Sequence, residues 1–294
     1  MTSPRMAAVA PKPSRRAFLA LLAAGGAGLS AAAYARWVEP SIFEVTEITL
    51  DPKLFPAAKG FAILHLSDLH LGPHVPLELI DEAVTLGLAQ RPDIIVLTGD
   101  FITGRLRAGP AYAAVLRRLA QAAPTFACLG NHDAIVATGP IGVRARTAAV
   151  TQLLVEAGVD LLLNESREKV IRGQRLQLSG LGDLWTGQNN PSACLPPIAP
   201  RWASGIPHLL LNHNPDARAA AMAYQWHLML CGHTHGGQVG LPWIAERLAP
   251  VQDKTHIEGL RVREGRLVYI TRGVGNLYGV RFWCRPQVSL LRVG

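Results

Sequence analysis

The sequence predicts an α/β fold built around a largely parallel sheet. Three observations carry this expectation. Five short runs rich in Ile, Val and Leu, "KGFAILHLSD", "RPDIIVLTGD", "APTFACLGNHD", "GIPHLLLNHNPD" and "WHLMLCGHTH", each stop at a cluster of polar residues. Within each run the apolar residues are continuous instead of alternating, as in strands buried on both faces. Between the runs lie stretches with apolar residues at helical spacing, and repeated strand–helix–strand order is the pattern of a parallel sheet.

Taken in order, the amino terminus comes first. "PSRRAFLALLAAGGAGLSAAAYARW" has a basic start, then an uncharged run from Ala17 to Ala35 that closes on "AYA", a small-x-small cleavage pattern. "SRRAFL", Ser14 to Leu19, resembles the twin-arginine export signal, with Ala20 where a basic residue often follows. That resemblance implies the twin-arginine export machinery as a partner. Residues 1–35 are therefore expected to be a cleaved signal or an uncleaved anchor, the run being near the lower length for a membrane span. Either way the positive flank stays inside. The body, residues 36–294, is then expected in the periplasm or on the outer face of the cytoplasmic membrane.

"SIFEVTEITL" alternates and reads as an opening strand. The helix "PLELIDEAVTLGLAQ" has Pro76 at a first helical position and Leu77, Ile80, Val84 and Leu88 along one stripe. "PAYAAVLRRLAQ" from Pro110 and "RTAAVTQLLVEAG" from Arg146 read similarly, the latter with Gly158 as its carboxyl-terminal cap. From Val159 the texture changes to short strands joined by tight turns, signalled by "RG" and "EG". Residues 187–205, rich in Pro, Asn and Ser, read as a long surface loop. No internal repeat or domain boundary interrupts 36–294, which reads as a single domain.

At 294 residues and nearly half hydrophobic, the chain can bury a core without staples. Its formal charge of +8 falls to +4 once Arg5, Lys12, Arg15 and Arg16 of the amino-terminal segment are set aside. The remaining basic residues are scattered, so no nucleic-acid partner is expected. Cys128, Cys194, Cys231 and Cys284 form no C-x-x-C motif. Cys128 and Cys231 read as buried free thiols, and a single disulfide is left open.

The ends of buried parallel strands are where such proteins collect their chemistry. Here those ends carry Asp68 and His70, then Asp100, then Asn131, His132 and Asp133, then His213, and finally His233 and His235. The last pair raises a geometric point. In an extended segment residues i and i+2 project to the same side, so two imidazoles there are either ligands or a chance pair.

In this order, "SDLH", "TGD", "GNHD", "NHNPD" and "GHTH" resemble the calcineurin-like metallophosphoesterase superfamily, over about Phe61 to Gln238. "TRGVGNLYGVRFWCRP" extends the likeness to its exported or membrane-associated bacterial phosphodiesterases, with Gln287 where that subgroup carries an acid. The resemblance implies an α/β/β/α sandwich of two mixed sheets with the metal site at the carboxyl ends of the strands. It implies two divalent metal ions, manganese, iron or zinc. Asp68, His70 and His235 would hold one, Asn131, His213 and His233 the other, and Asp100 would bridge them. It also implies in-line attack on a phosphodiester substrate by a hydroxide shared between the metals, with His132 protonating or stabilising the leaving oxygen. Hard oxygen ligands mixed with imidazole, and no thiolate, suit those metals. Two ions against two aspartates leave a positive site that favours an anion.

Other residues have structural alternatives. Asp133 would orient His132 or cap the next helix. His65 and His227 read as core or edge residues. His74 is a possible substrate contact, and His256 lies in a loop. Arg272 would pair with phosphate or with a structural acid. "GLPWIAERLAP", Gly240 to Pro250, is either an apolar lip able to admit a lipid-like group or simple core packing. Three functional alternatives stand beside the phosphodiesterase. A UDP-2,3-diacylglucosamine-type pyrophosphate hydrolase would act on the cytoplasmic side. A non-catalytic scaffold on the same fold would lack ligands. A metallo-β-lactamase-like enzyme would need an H-x-H-x-D-H block, which is absent.

Overall fold

The computed structural model describes residues 28–134, 140–198 and 205–294. Among them are two six-stranded mixed sheets packed face to face. The first has the order β1 (Glu44–Leu50), β12 (Gln287–Val293), β2 (Ala62–Leu66), β3 (Ile94–Thr98), β4 (Thr125–Cys128) and β5 (Asp160–Leu161). Only β12 against β2 is antiparallel there. The second has the order β10 (Gly259–Arg263), β11 (Arg266–Ile270), β9 (Leu228–Cys231), β8 (His208–Leu211), β7 (Gln174–Gly180) and β6 (Glu165–Ile171). Its central pairs are parallel and its two outer hairpins antiparallel.

Every residue of β2, β3, β4, β8 and β9 is buried, which is why their sequences are continuously apolar. Along β3, Ile94 and Val96 face the second sheet, meeting Leu209, Leu211, Leu228 and Leu230. Ile95 and Leu97 face the opposite way, toward helices α1 (Leu77–Leu88), α2 (Gly109–Ala122) and α3 (Pro140–Ala157). The far side of the second sheet is covered by Trp226, Leu181 and Leu195 packed on Leu210, Met229 and Cys231. The layers are those of an α/β/β/α sandwich.

Local chemistry explains most boundaries. The hairpin turns at Arg172-Gly173 and Glu264-Gly265 have positive φ at both residues (52° and 76°, 49° and 77°), as type I′ turns demand. Helix α3 ends at Gly158, φ +77°, whose N–H bonds back to Val155 O. Two boundaries differ from expectation. Pro76 is extended (ψ 161°) and precedes α1 as its cap residue instead of opening it. Helix α3 starts at Pro140, six residues before Arg146.

Residues 1–27 of the expected signal lie outside the described residues, as do 199–204 of the long loop. Gly28–Ala33 is helical and runs into a wider turn, Tyr34–Val38. Ala35 is buried, and its carbonyl takes the Arg281 N–H at 2.9 Å. Among the described residues, no helix is long and apolar enough to cross a membrane. All four cysteines are free, with Cys128 and Cys231 buried.

Candidate metal centre

The carboxyl ends of β2, β3, β4, β8 and β9 converge at one edge of the sandwich. Three of these ends turn sharply through left-handed backbone. Asp68, His70, Asp100, His233 and His235 all have φ between 51° and 70°. Such residues cost about 1–3 kcal/mol each, and they cluster where function requires them. The extended geometry expected for "GHTH" is therefore corrected. His233 and His235 sit in left-handed kinks flanking the start of a 3₁₀ turn, so they point into different groups.

Asp68, His70 and His235 form one group, and Asp100, His213 and His233 the other. In the first, His70 Nε2 lies 3.1 Å from His235 Nε2, and Asp68 Oδ1 lies 3.9 and 3.4 Å from those nitrogens. In the second, His213 Nε2 lies 3.1 Å from both His233 Nδ1 and Asn131 Oδ1. Asp100 Oδ2 stands between them, 3.4 Å from His70 Nε2 and 3.3 Å from His213 Nε2. The close approach needs glycine: a Cβ on Gly130 would strike Asp100 Oδ1, and one on Gly232 would strike Asp68 Oδ2.

The donor chemistry fits a cation. His213 Nδ1 donates to Thr98 O at 2.7 Å and His233 Nε2 donates to Pro250 O at 3.1 Å. Those bonds fix the tautomers, leaving lone pairs on the two nitrogens that face each other. Asp100 Oδ2 and Asn131 Oδ1 add only further acceptors. A buried, acceptor-only cluster is resolved by a proton or a metal ion. Burial alone would lower His213, but the Asp100 carboxylate and its hydrogen bond raise it to about 10. Burial holds His70 down to about 3, His233 down to about 4 and His235 well below its usual value, so these three are neutral and ready to ligate. Metal loading of the stripped protein at pH 7 should therefore displace the His213 proton. Titration in weak buffer should release at least one proton per chain, from His213. Loading without acidification would contradict this reading.

His132 lines the same site, its ring edge-on to His70 with centroids 5.0 Å apart, and its backbone N–H donates to Asp100 Oδ1 at 2.8 Å. Asp133 takes neither expected role as its main one. Its buried carboxylate accepts the N–H groups of Asp100, Phe101 and Gly130 at 2.8, 2.8 and 2.9 Å, tying the ends of β3 and β4 together. Burial, reinforced by the Asp100 charge, pushes it up to about 7.

Several contributors carried no sequence signal. Thr103 Oγ1 meets His70 Nδ1 at 2.9 Å, and Trp185 packs edge-on against His233 at 4.4 Å. The fully buried Arg281 donates to the carbonyls of Arg272, Gly273, Gly275 and Cys284. It thereby fixes the loop whose Val274 and Gly275 N–H groups bond Ser67 and Asp68 carbonyls. Arg272 takes its structural option, paired with Glu44 at 2.8 Å and Glu258 at 3.8 Å. His65 bonds Thr98 Oγ1 within the core, His227 accepts the His208 N–H, and His256 bonds Gly259 O. His74 is exposed and outside the cavity lining. Gln287 uses its amide both ways, accepting from Thr271 and Arg272 and donating to Thr46.

A cavity of about 580 Å³ opens over both groups, its outer wall apolar: Trp185, Val239, Leu248, Leu277, Tyr278 and Val280. The Gly240–Pro250 stretch contributes both to core packing and to the cavity wall. In α4 (Pro242–Leu248) and just beyond it, Ala245 and Ala249 are buried, while Leu248 and Pro250 form part of the wall.

Residues 61–237 match the calcineurin-like phosphoesterase family, and the chain belongs to it. It is a metal-dependent hydrolase of phosphate esters, of a family that uses two divalent ions. It is 42% identical to phosphodiesterase YaeI of Escherichia coli over 95% of this chain and 99% of that protein. Identity to the uncharacterized metallophosphoesterase YkuE of Bacillus subtilis is 31%, covering 95% of this chain and 97% of YkuE. Identity to UDP-2,3-diacylglucosamine pyrophosphatase LpxG of Chlamydia trachomatis is 27%, covering 88% and 92%.

Proposed function

We propose that this protein hydrolyses a phosphodiester that carries an apolar group, and that it does so outside the cytoplasmic membrane after twin-arginine export. The metals, manganese, iron or zinc, would be held by Asp68, His70 and His235 on one side and by Asn131, His213 and His233 on the other, with Asp100 shared. The observation that carries this reading is the pairing of an acceptor-only ligand cluster with an apolar wall across one cavity. The likeness to YaeI supports diester cleavage. When bound, the metals supply Lewis acidity toward the phosphoryl oxygens and an activated water.

The chain's own residues do the rest. Thr98, Thr103 and Pro250 hold the imidazole rings in their ligating orientation. His132 stands over the cavity, where its ring hydrogen-bonds or protonates the departing oxygen. Trp185 shields His233 from water. Leu248, Leu277 and Val280 receive the apolar part of the substrate.

The test uses the manganese-loaded chain with bis-p-nitrophenyl phosphate, p-nitrophenyl phosphate and alkyl diesters of rising chain length. Diester turnover should exceed monoester turnover, and KM should fall by about fourfold per added methylene that reaches the wall. Faster monoester cleavage, or indifference to chain length, would count against the reading. The likeness to LpxG and the same wall favour a second reading, pyrophosphate cleavage in an acylated nucleotide sugar. Release of UMP from UDP-2,3-diacylglucosamine at a rate above that of every diester would install it. Location is read from cell fractions: activity should sit outside the cytoplasm and be lost from there with Arg15→Lys/Arg16→Lys.

A further inference from the structure

Large apolar side chains stand in solvent on the cavity wall and on the segments joined to it. Trp37, Trp243, Leu248, Tyr278 and Trp283 are 72, 66, 56, 73 and 67% exposed. They belong to three segments joined into one surface. Val239 bridges Phe282, whose carbonyl takes the Gly240 N–H at 2.7 Å, and the Phe282 ring stacks on Trp283 with centroids 5.2 Å apart. That fastens the stretch leading into α4 to the loop bearing Trp283. Glu39, itself buried, accepts the Trp283 N–H at 2.9 Å and that of Cys284. The Arg36 guanidinium lies against Gly279, between the cavity residues Tyr278 and Val280. Ala35 faces the body and Trp37, two residues on, faces away from it. The segments bearing these exposed aromatics are therefore continuous with the amino-terminal segment.

Three features identify the occupant. The exposed residues are mostly tryptophan and tyrosine, whose amphipathic rings favour the headgroup level of a bilayer. Exposed arginines lie on the same segments and on the loop after the cavity residue Thr103: Arg36, Arg247 in α4, Arg285 two residues after Trp283, and Arg105. The acids of these same segments are Glu246, exposed on α4, and Glu39, buried under its two N–H donors. The surface thus complements an anionic one. Finally, the uncharged run Ala17–Ala35 leads straight into Arg36 and Trp37, so the chain enters this face from its most membrane-compatible stretch.

We propose that the mouth face is a membrane-docking surface whose partner is an anionic lipid bilayer, with the cavity opening toward the headgroups. The surface stands apart from the diester chemistry, since vesicle contact is measured without turnover and either can fail alone. The experiment takes the full chain with vesicles of phosphatidylglycerol and phosphatidylcholine bearing brominated acyl chains. Tryptophan fluorescence should be quenched on binding. Most of that quenching should vanish in Trp243→Phe/Trp283→Phe, while that variant still hydrolyses a soluble diester as before. Arg247→Gln and Arg285→Gln should each weaken partition by about fivefold, and only when phosphatidylglycerol is present. A vesicle-bound chain whose Trp243 and Trp283 stay as open to aqueous iodide as in free protein would overturn the proposal. The amino-terminal run would then be acting as a bare tether. Partition indifferent to phosphatidylglycerol would overturn it too.

Discussion

Asp100→Ala is expected to lower diester turnover by about three orders of magnitude, equivalent to several kcal/mol of lost transition-state stabilisation. The reasoning is geometric. Asp100 Oδ2 lies within 3.4 Å of an imidazole nitrogen from each ligand group, so its removal takes an anionic donor from both at once. It also strips the His132 N–H of its acceptor, loosening the residue assigned to the leaving oxygen. Metal content after loading should fall below two ions per chain, and the proton released on loading should shrink, because His213 loses the charge that raises it. A variant that keeps two tightly bound ions and near-normal turnover would show that Asp100 is not shared.

Asp133→Asn is expected to weaken metal binding by about 10–100-fold and to lower stability by about 1–3 kcal/mol. The side chain is fully buried and outside the cavity lining. Its two oxygens accept three backbone N–H groups, including that of Asp100, and an amide of the same shape offers one oxygen and two competing hydrogens. At least one N–H is left facing another, and the β3 turn that aims Asp100 relaxes. A positioning role has a distinctive readout: turnover at saturating manganese should return close to wild type, with the deficit confined to metal affinity. A loss of kcat that excess metal fails to restore would place Asp133 in the chemistry itself.

Much of this was legible in the chain, for identifiable reasons. Strands such as Ile94–Thr98 are buried on both faces, so their sequences are continuously apolar and their ends stand out as the first polar residues. Turns that require positive φ at two residues announce themselves as Arg-Gly and Glu-Gly. The partition of strands was not legible from the runs alone: β2, β3 and β4 look like β8 and β9, yet they belong to different sheets. The local pattern of the "GHTH" segment suggests continued extension, which its backbone does not adopt. The left-handed turns at His233 and His235 are imposed by tertiary fit against Asp68 and the Arg272–Gly275 loop. Trp185 and Arg281 escaped for the same reason. Each acts through neighbours that are remote in sequence, and nothing in its own stretch marks it.

The position of β12 has a consequence for how the protein is made. This last strand lies between β1 and β2, which do not pair with each other, so the first sheet is split until residues 287–293 exist. Asp68, His70, Asp100 and Asn131 come from that sheet, and His213, His233 and His235 from the other. A nascent chain whose residues 287–293 have not yet emerged can display every one of these residues without a finished frame to hold them together. A complete frame for the metals therefore exists only once residues 287–293 have been made. A nonsense codon just ahead of residue 287 would silence a site whose candidate ligands were all synthesised more than fifty residues earlier.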